Sequence, residues 1–342
     1  MLCIQDGTDL NYTSLVQCEG LGSLGTNQTG ARSAGLHLHS TLAVTPEGLP
    51  LGVLDARCEA PPTRADDDER LSTDIPIEDK KTFNWIQGLR QCEQAAAQMP
   101  DTRLVCVMDR EADFFELFDA QRQRNKVDLL VRARHDRITG DKLTLFDQMR
   151  SDTVKCRLAI AVPRQSARPK KNKQKARAGH PQRMAQVQLR YREIDLPAPK
   201  HHAGKSPLRL WAVHVRETYP PAGVAALEWL LLSTREIASV EQAHECLRWY
   251  CLRWRIEDWH RVLKSGCRVE ALQHKTAVRL QRALAFNLVI AWRIMLLTLL
   301  GRQAPELPAD LLFSELEIQV LQAYAKKTAS PDPYCSARLY AS

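Results

Sequence analysis

The amino-acid sequence predicts an α/β protein built on a mixed sheet, with an inserted β subdomain and a C-terminal helical extension. Three observations predict it. Short apolar runs that end in aspartates, LCIQD at 2–6 and RLVCVMD at 103–109, are separated by a hairpin pattern and an amphipathic stretch. Between Thr153 and Arg192 the composition shifts to twelve Lys or Arg and no acid. From Val240 onward the apolar period becomes helical. A chain of 342 residues can bury one large core, or one core with an inserted or appended subdomain.

Leu2 to Gln5 reads as a short strand that closes at Asp6, before the polar stretch GTDLNYTS. Leu36 to Val44 and Leu49 to Leu54 form a hairpin pattern with Pro46, Glu47 and Gly48 in the turn. Asp66 to Glu69 is an acidic, solvated loop. Ile77 to Met99 reads as an amphipathic helix with Phe83, Ile86, Leu89 and Cys92 on one side. Arg103 to Met108 is a buried-strand run ending at Asp109, and Asp113 is placed to cap a helix carrying Phe114, Leu117 and Phe118. Val127 to Val131 is the next strand. Strand, hairpin, helix, strand, helix, strand is the order of a mixed sheet of the ribonuclease H type. In such a sheet, acids at the ends of neighbouring strands can meet across a few ångströms.

Residues 1–134 therefore read as the first part of a core. Residues 135–228 read as the insert, with Val154 to Val162 and Ala185 to Ile194 as strands flanking a basic loop at 164–183. Lys170, Lys171 and Lys173 in that loop are candidates for phosphate contact; a solvated loop without a partner is the alternative. Leu208 to Val215 and Leu227 to Ser233 are strands leading back to a core segment at 229–270, and residues 271–342 form the extension. The net charge of +8 favours a polyanionic partner. Ten cysteines without a CxxC pair read as reduced thiols in a cytosolic protein, with Cys106 filling a core. Met1 leads directly into strand-like sequence, so no signal peptide is expected. Ala283 to Leu300 contains Asn287 and Arg293 and reads as a buried helix rather than a membrane span; Thr276 to Leu300 is the long, mostly buried helix around it.

Val240 to Ser265 reads as one helix. Tyr250, Arg253, Glu257, Arg261 and Lys264 recur along one of its faces, beside an apolar stripe of Leu252, Ile256, Trp259 and Leu263. Tyr250 and Lys264 would lie about 21 Å apart, so the face could follow several phosphates but not converge on one atom. Alternatively it is a solvated face on which Arg253 and Glu257 pair at i, i+4.

The pattern Y-x2-R-x3-E-x6-K within LRWYCLRWRIEDWHRVLKSG, at 247–266, resembles the signature of the Tn-five-type DDE transposases of insertion-sequence family four. IQDGT is similar to the first motif of that family and VMDREAD to its second, and the resemblance runs from Met1 to about Tyr324. It implies that Asp6, Asp109 and Glu257 are the catalytic, metal-binding triad, seating two Mg²⁺ ions about 3.5–4 Å apart, with Mn²⁺ as substitute. Taken singly, each aspartate also reads as an ordinary turn former. The resemblance further implies cut-and-paste transposition of double-stranded DNA: 3′-end hydrolysis, hairpin formation, hairpin opening and joining to target. Trp229 matches the tryptophan that receives a flipped base; Tyr250, Arg253 and Lys264 would grip the phosphates beside it, with Arg261, Arg132 and Arg134 as further backbone contacts. His39 reads as a core histidine opposite Asp6 rather than a ligand.

LGRQAPELPADLLFSELEIQVLQAY, at 300–324, resembles the start of a dimerisation region, which implies a homodimer in the synaptic complex. The N-terminal helical domain of the family finds no counterpart, because Asp6 lies five residues from Met1. A chain truncated at both ends is the expectation, acting in the bacterial cytoplasm on nucleoid DNA and not at a membrane. Two other functions stay open: an inactive DNA-binding remnant, and a ribonuclease H-like metal nuclease without strand transfer.

Overall fold

Pairing of strands into a single sheet, most of them neighbours in the chain, carries this architecture. The structure, a computed structural model, describes residues 1–26, 32–61, 75–162, 164, 167 and 179–328. Lys170, Lys171 and Lys173, the acidic loop at 66–69 and the tail from 331 onward lie outside the described residues.

Ten strands join one mixed sheet. They are β1 (Leu2–Asn11), β2 (Gly22–Thr26), β3 (Arg32–Val44), β4 (Pro50–Glu59), β5 (Val105–Met108), β6 (Asp128–Arg132), β7 (Cys156–Val162), β8 (Arg183–Leu196), β9 (Leu208–Glu217) and β10 (Glu228–Ser233). Their order is β2-β3-β1-β5-β6-β10-β9-β8-β7, with β4 also on β3. The pairs β1/β5 and β5/β6 are parallel. Each needs a crossover, supplied by the helices α1 (Phe83–Gln98) and α2 (Phe115–Arg124). The β3–β4 turn forms as the sequence predicts, with Gly48 at φ +96°, a conformation that suits glycine.

Strand alternation divides the apolar residues between two faces. Leu2, Ile4, Val107, Leu130 and Leu231 share one core with α4 (Val240–Cys251), α5 (Trp254–Arg261) and α6 (Ala277–Gln303). Cys3, Cys106, Leu129, Val131 and Leu232 share the other with α1, α2 and α3 (Leu145–Ser151).

Several expectations are corrected. β1 does not stop at Asp6, because antiparallel pairing with β3 continues to Asn11↔Gly35. Asp113 does not cap α2: its carboxylate accepts the backbone N–H groups of Arg134 (2.7 Å) and His135 (3.0 Å) instead. The strands of the segment expected as an insert, 135–228, extend the main sheet rather than forming a sheet of their own, β9 pairing with all of β10 and β8 with all of β9. The single helix at 240–265 comes in three pieces: α4, α5 and a π turn at Val262–Gly266.

The helix expected to be mostly buried is one-sided. In α6, Leu280, Leu284, Leu288, Ala291 and Met295 are buried, while Phe286, Val289, Ile290 and Ile294 are exposed. By length and composition alone this helix could cross a membrane. Its buried stripe lies on α5 and β4: Trp259 Nε1 donates to the Leu288 carbonyl (3.2 Å) and Trp292 Nε1 to that of Pro50 (3.0 Å). Arg293 reaches Glu317 (2.7 Å) on α7 (Glu315–Thr328), which completes the described extension.

Trp259 is fully buried where α5, α6 and the sheet meet. Trp259→Ala is expected to lower unfolding free energy by about 3–5 kcal/mol, read from urea denaturation. A loss under about 1 kcal/mol would contradict the packing described.

Candidate active site

Two aspartates are brought abreast by strand register. β1 and β5 pair as Leu2↔Val105, Cys3↔Cys106 and Ile4↔Val107. Continuing two residues sets Asp6 level with Asp109, one strand spacing of about 4.8 Å to the side. Asp6 shares the parity of Leu2 and Ile4, so it faces α4–α6. Asp109, still extended at φ −85° and ψ −168°, follows the parity of Val105 and Val107 to the same side. Asp109 thus stands at a strand end, as the sequence implies, whereas Asp6 stands within its strand.

α5 brings the third acid. Directly opposite Asp6 on β3 is Ser40, whose Oγ lies 3.0 Å from Nε2 of His260 on α5. Glu257 is one turn earlier on that helix. The buried Arg253 guanidinium joins the acids: Nη2 donates to Glu257 Oε1 at 2.5 Å and Nη1 to Asp6 Oδ2 at 3.4 Å. Its Nε is buried without a partner among the described residues. Asp6, Glu257 and Arg253 therefore meet in space, with Asp109 beside Asp6.

Electrostatics agree with the geometry. Burial pushes the Asp6 carboxyl up to about 7, against the pull of Arg253 and the Gly7 N–H, and the charges on Asp109 and Glu257 raise it further. Arg253 pairs with Asp6 and Glu257 while Asp109 stands beside Asp6, so three carboxylates face one guanidinium charge and a cation would offset the surplus. The donors suit a hard cation such as Mg²⁺ or Mn²⁺. Asp6 Oδ1 accepts the Gly7 N–H (2.8 Å) and Asp109 Oδ1 that of Glu111 (2.7 Å). These backbone bonds fix both carboxylates and engage one oxygen of each.

The face expected to run from Tyr250 to Lys264 does not survive as one stripe. Arg253 N–H donates to the Tyr250 carbonyl (3.0 Å) and Ile256 N–H to that of Arg253 (3.3 Å), a 3₁₀ tightening between α4 and α5. After α5, Cys267 N–H donates to the Val262 carbonyl (2.9 Å), a π widening. Both change the helical phase. Tyr250 is buried, its ring edge-on to Trp229 at 5.7 Å between centroids, and Arg132 sits 5.8 Å over the Trp229 ring. Lys264 Nζ donates to the Asp9 carbonyl (2.7 Å), tying the π turn to β1. Arg261 is exposed and pairs with Asp258 (2.5 Å), away from the acids. Arg134 is also exposed, in the segment that Asp113 holds.

His39 pairs with Gly7 rather than Asp6 in the β-ladder and lies on the opposite sheet face, with its ring 4.7 Å from Trp85. Burial pushes it down to about 3, so it is a neutral core histidine. Sequence reasoning passed over Ser40 and His260, the pair that seats α5 on β3; its one signal is the position of His260 three residues after Glu257. It also passed over the Asp9–His37 pair (2.7 Å), which lines a cavity of 210 Å³ with Gly7, Lys81 and Trp85 on the face away from Asp6.

The Asp6 shift sets a pH dependence. Between pH about 4 and 7 the folded chain holds a proton that the unfolded chain has lost, so stability in chelator falls as pH rises through this window. Asp6→Asn should remove that slope and raise the urea midpoint above pH 7. An identical slope in Asp6→Asn and wild type would show that Asp6 is not the titrating group.

The family model described as Transposase DDE domain matches residues 80–293, a span that holds Asp109, Trp229, Arg253 and Glu257 and begins after Asp6. That is more than half of a chain whose acids gather around one guanidinium, and the protein belongs to the transposase DDE domain family.

Proposed function

We propose that this protein carries out metal-dependent cut-and-paste transposition of the Tn-five type, with Asp6, Asp109 and Glu257 as its catalytic triad. The observation that carries this reading is the shared guanidinium: Arg253 contacts Asp6 and Glu257, which are 251 residues apart in the chain. Residues 1–134 and 229–270 form the catalytic core in this reading, 135–228 the insert and 271–342 part of a dimerisation region.

Asp6, Asp109 and Glu257 would hold Mg²⁺, or Mn²⁺ in its place. When bound, the cations activate the attacking hydroxyl and stabilise the leaving 3′ oxygen. Arg253 keeps the Asp6 and Glu257 carboxylates in position. One arrangement of acids can serve 3′-end hydrolysis, hairpin formation, hairpin opening and strand transfer, because each is an in-line displacement at phosphorus. A hairpin requires a base to leave the stack, at a cost of a few kcal/mol. Trp229, braced by Tyr250 and Arg132, receives that base, and stacking returns about 1–3 kcal/mol. Lys264, Arg261, Arg134, Lys170, Lys171 and Lys173 contact the DNA backbone. The partners are double-stranded transposon ends and target DNA, bound by a homodimer in the bacterial cytoplasm.

Glu257→Gln and Asp109→Asn are each expected to lower Mg²⁺-dependent nicking of supercoiled plasmid by about 10³-fold or more, the loss of roughly 4 kcal/mol of transition-state stabilisation. Plasmid retention on filters should stay near wild type, since phosphate contacts dominate affinity. Nicking that persists in either variant would overturn the triad. Trp229→Ala should nick a duplex carrying the element's end but form hairpins at least about tenfold more slowly, as gel analysis would show.

A further inference from the structure

We propose a second divalent-cation site, separate from the carboxylate cluster, built by Glu116, His201 and His202 and suited to Zn²⁺. Glu116 lies in the first turn of α2, and both histidines lie in the 3₁₀ turn Lys200–His202 between β8 and β9. Segments far apart in sequence thus present one carboxylate oxygen and two ring nitrogens within 4.8 Å of one another.

The spacing fits a cation better than it fits one hydrogen bond. Glu116 Oε1 lies 3.0 Å from His202 Nε2 and 3.9 Å from His201 Nε2. Tetrahedral zinc, with bonds of about 2.0–2.1 Å to nitrogen or oxygen, sets its ligand atoms about 3.3 Å apart. The two observed separations lie on either side of that value. A carboxylate–imidazole hydrogen bond would need one histidine. Here a second ring stands 4.5 Å from the first, tilted by 49°, with its Nε2 toward the same oxygen. Phe115 stacks on His202 at 5.4 Å and fixes that ring.

Two imidazoles and a carboxylate are the donor set of an open zinc site, with a position left for water, and are softer than the all-oxygen set around Asp6. That position has room: Glu116 and His201 line a cleft of 770 Å³ together with Arg134, Arg137 and Lys200. The bound ion would cross-link α2 to the β8–β9 connection, which Lys205 already ties to Asp119 and Arg122 to the carbonyls of Ser206 (2.9 Å) and Pro207 (3.0 Å). α2 closely follows Asp109, so the link fastens the acid-bearing turn to the strands of the insert. The inference does not depend on the transposition reading.

The test uses the full chain, stripped with chelator, desalted and titrated with Co²⁺ and then Zn²⁺. The visible spectrum should show the intense bands of four- or five-coordinate Co²⁺ with nitrogen ligands, removed by Zn²⁺ and unchanged in Glu257→Gln. His201 is half exposed, so His201→Ala should fold normally; it should lose the bands and bind Zn²⁺ about 100-fold more weakly, since even groups behind the ligands contribute roughly 10–100-fold. Zn²⁺ should also raise the melting temperature of wild type but not of His201→Ala. Absence of the bands in wild type, unchanged Zn²⁺ affinity in His201→Ala, or loss of the bands in Glu257→Gln alone would each overturn the site.

Discussion

Three carboxylates held close together repel one another, and the rest of this structure answers that constraint. Burial makes the repulsion stronger, because the surrounding protein screens charge less than water does. Among the described residues, Arg253 is the guanidinium that pairs with two of the acids, and against the pull of burial these partners hold it above the usual guanidinium range. Burial drives the Asp6 carboxyl up to about 7, and the charges on Asp109 and Glu257 add to the shift. A hard divalent cation is the natural complement to such a surplus.

The fold delivers the acids by two unlike means. Asp6 and Asp109 are set by a parallel ladder, whose register cannot slip by one residue without turning every side chain of the strand to the opposite face. Glu257 is set by packing: Trp259 is buried against the Leu288 carbonyl, and His260 meets Ser40. Helix irregularity lies on both sides of Glu257. The 3₁₀ turn before it directs Arg253 inward, and the π turn after it brings Lys264 onto β1. Such departures from regular helix are common at functional sites, and here each has an identified side chain to place.

Much of this could be read in the residues. The apolar run at 2–5 and the end of that at 103–108, from Val105 on, form strands, Asp109 follows the second, the turn at Gly48 is where Pro-Glu-Gly put it, and Arg253 and Glu257 pair at i, i+4. What escaped depended on distant partners. β1 continues past Asp6 because β3 lies alongside it, at a position so close that a side-chain carbon on Gly35 would come within 2.0 Å of the Leu10 carbonyl oxygen. The helix break at Leu252–Arg253 has no glycine or proline to mark it, since both residues favour helix. The strands of the basic segment looked self-contained, and the edge of β10 that accepts β9 is visible only once the sheet is assembled. Glu116 and the paired histidines, 85 and 86 residues apart, carry no motif that links them.

The central claim is that Asp6, Asp109 and Glu257 form one cation seat. It is tested most directly by a crystal structure of the full chain grown with Mn²⁺, using anomalous scattering to locate the metal. The account predicts a peak within coordination distance of oxygens from all three residues, with Arg253 drawn back from at least one of them. Manganese bound with none of the three as ligands, or the three carboxylates found too far apart to share it, would contradict the account.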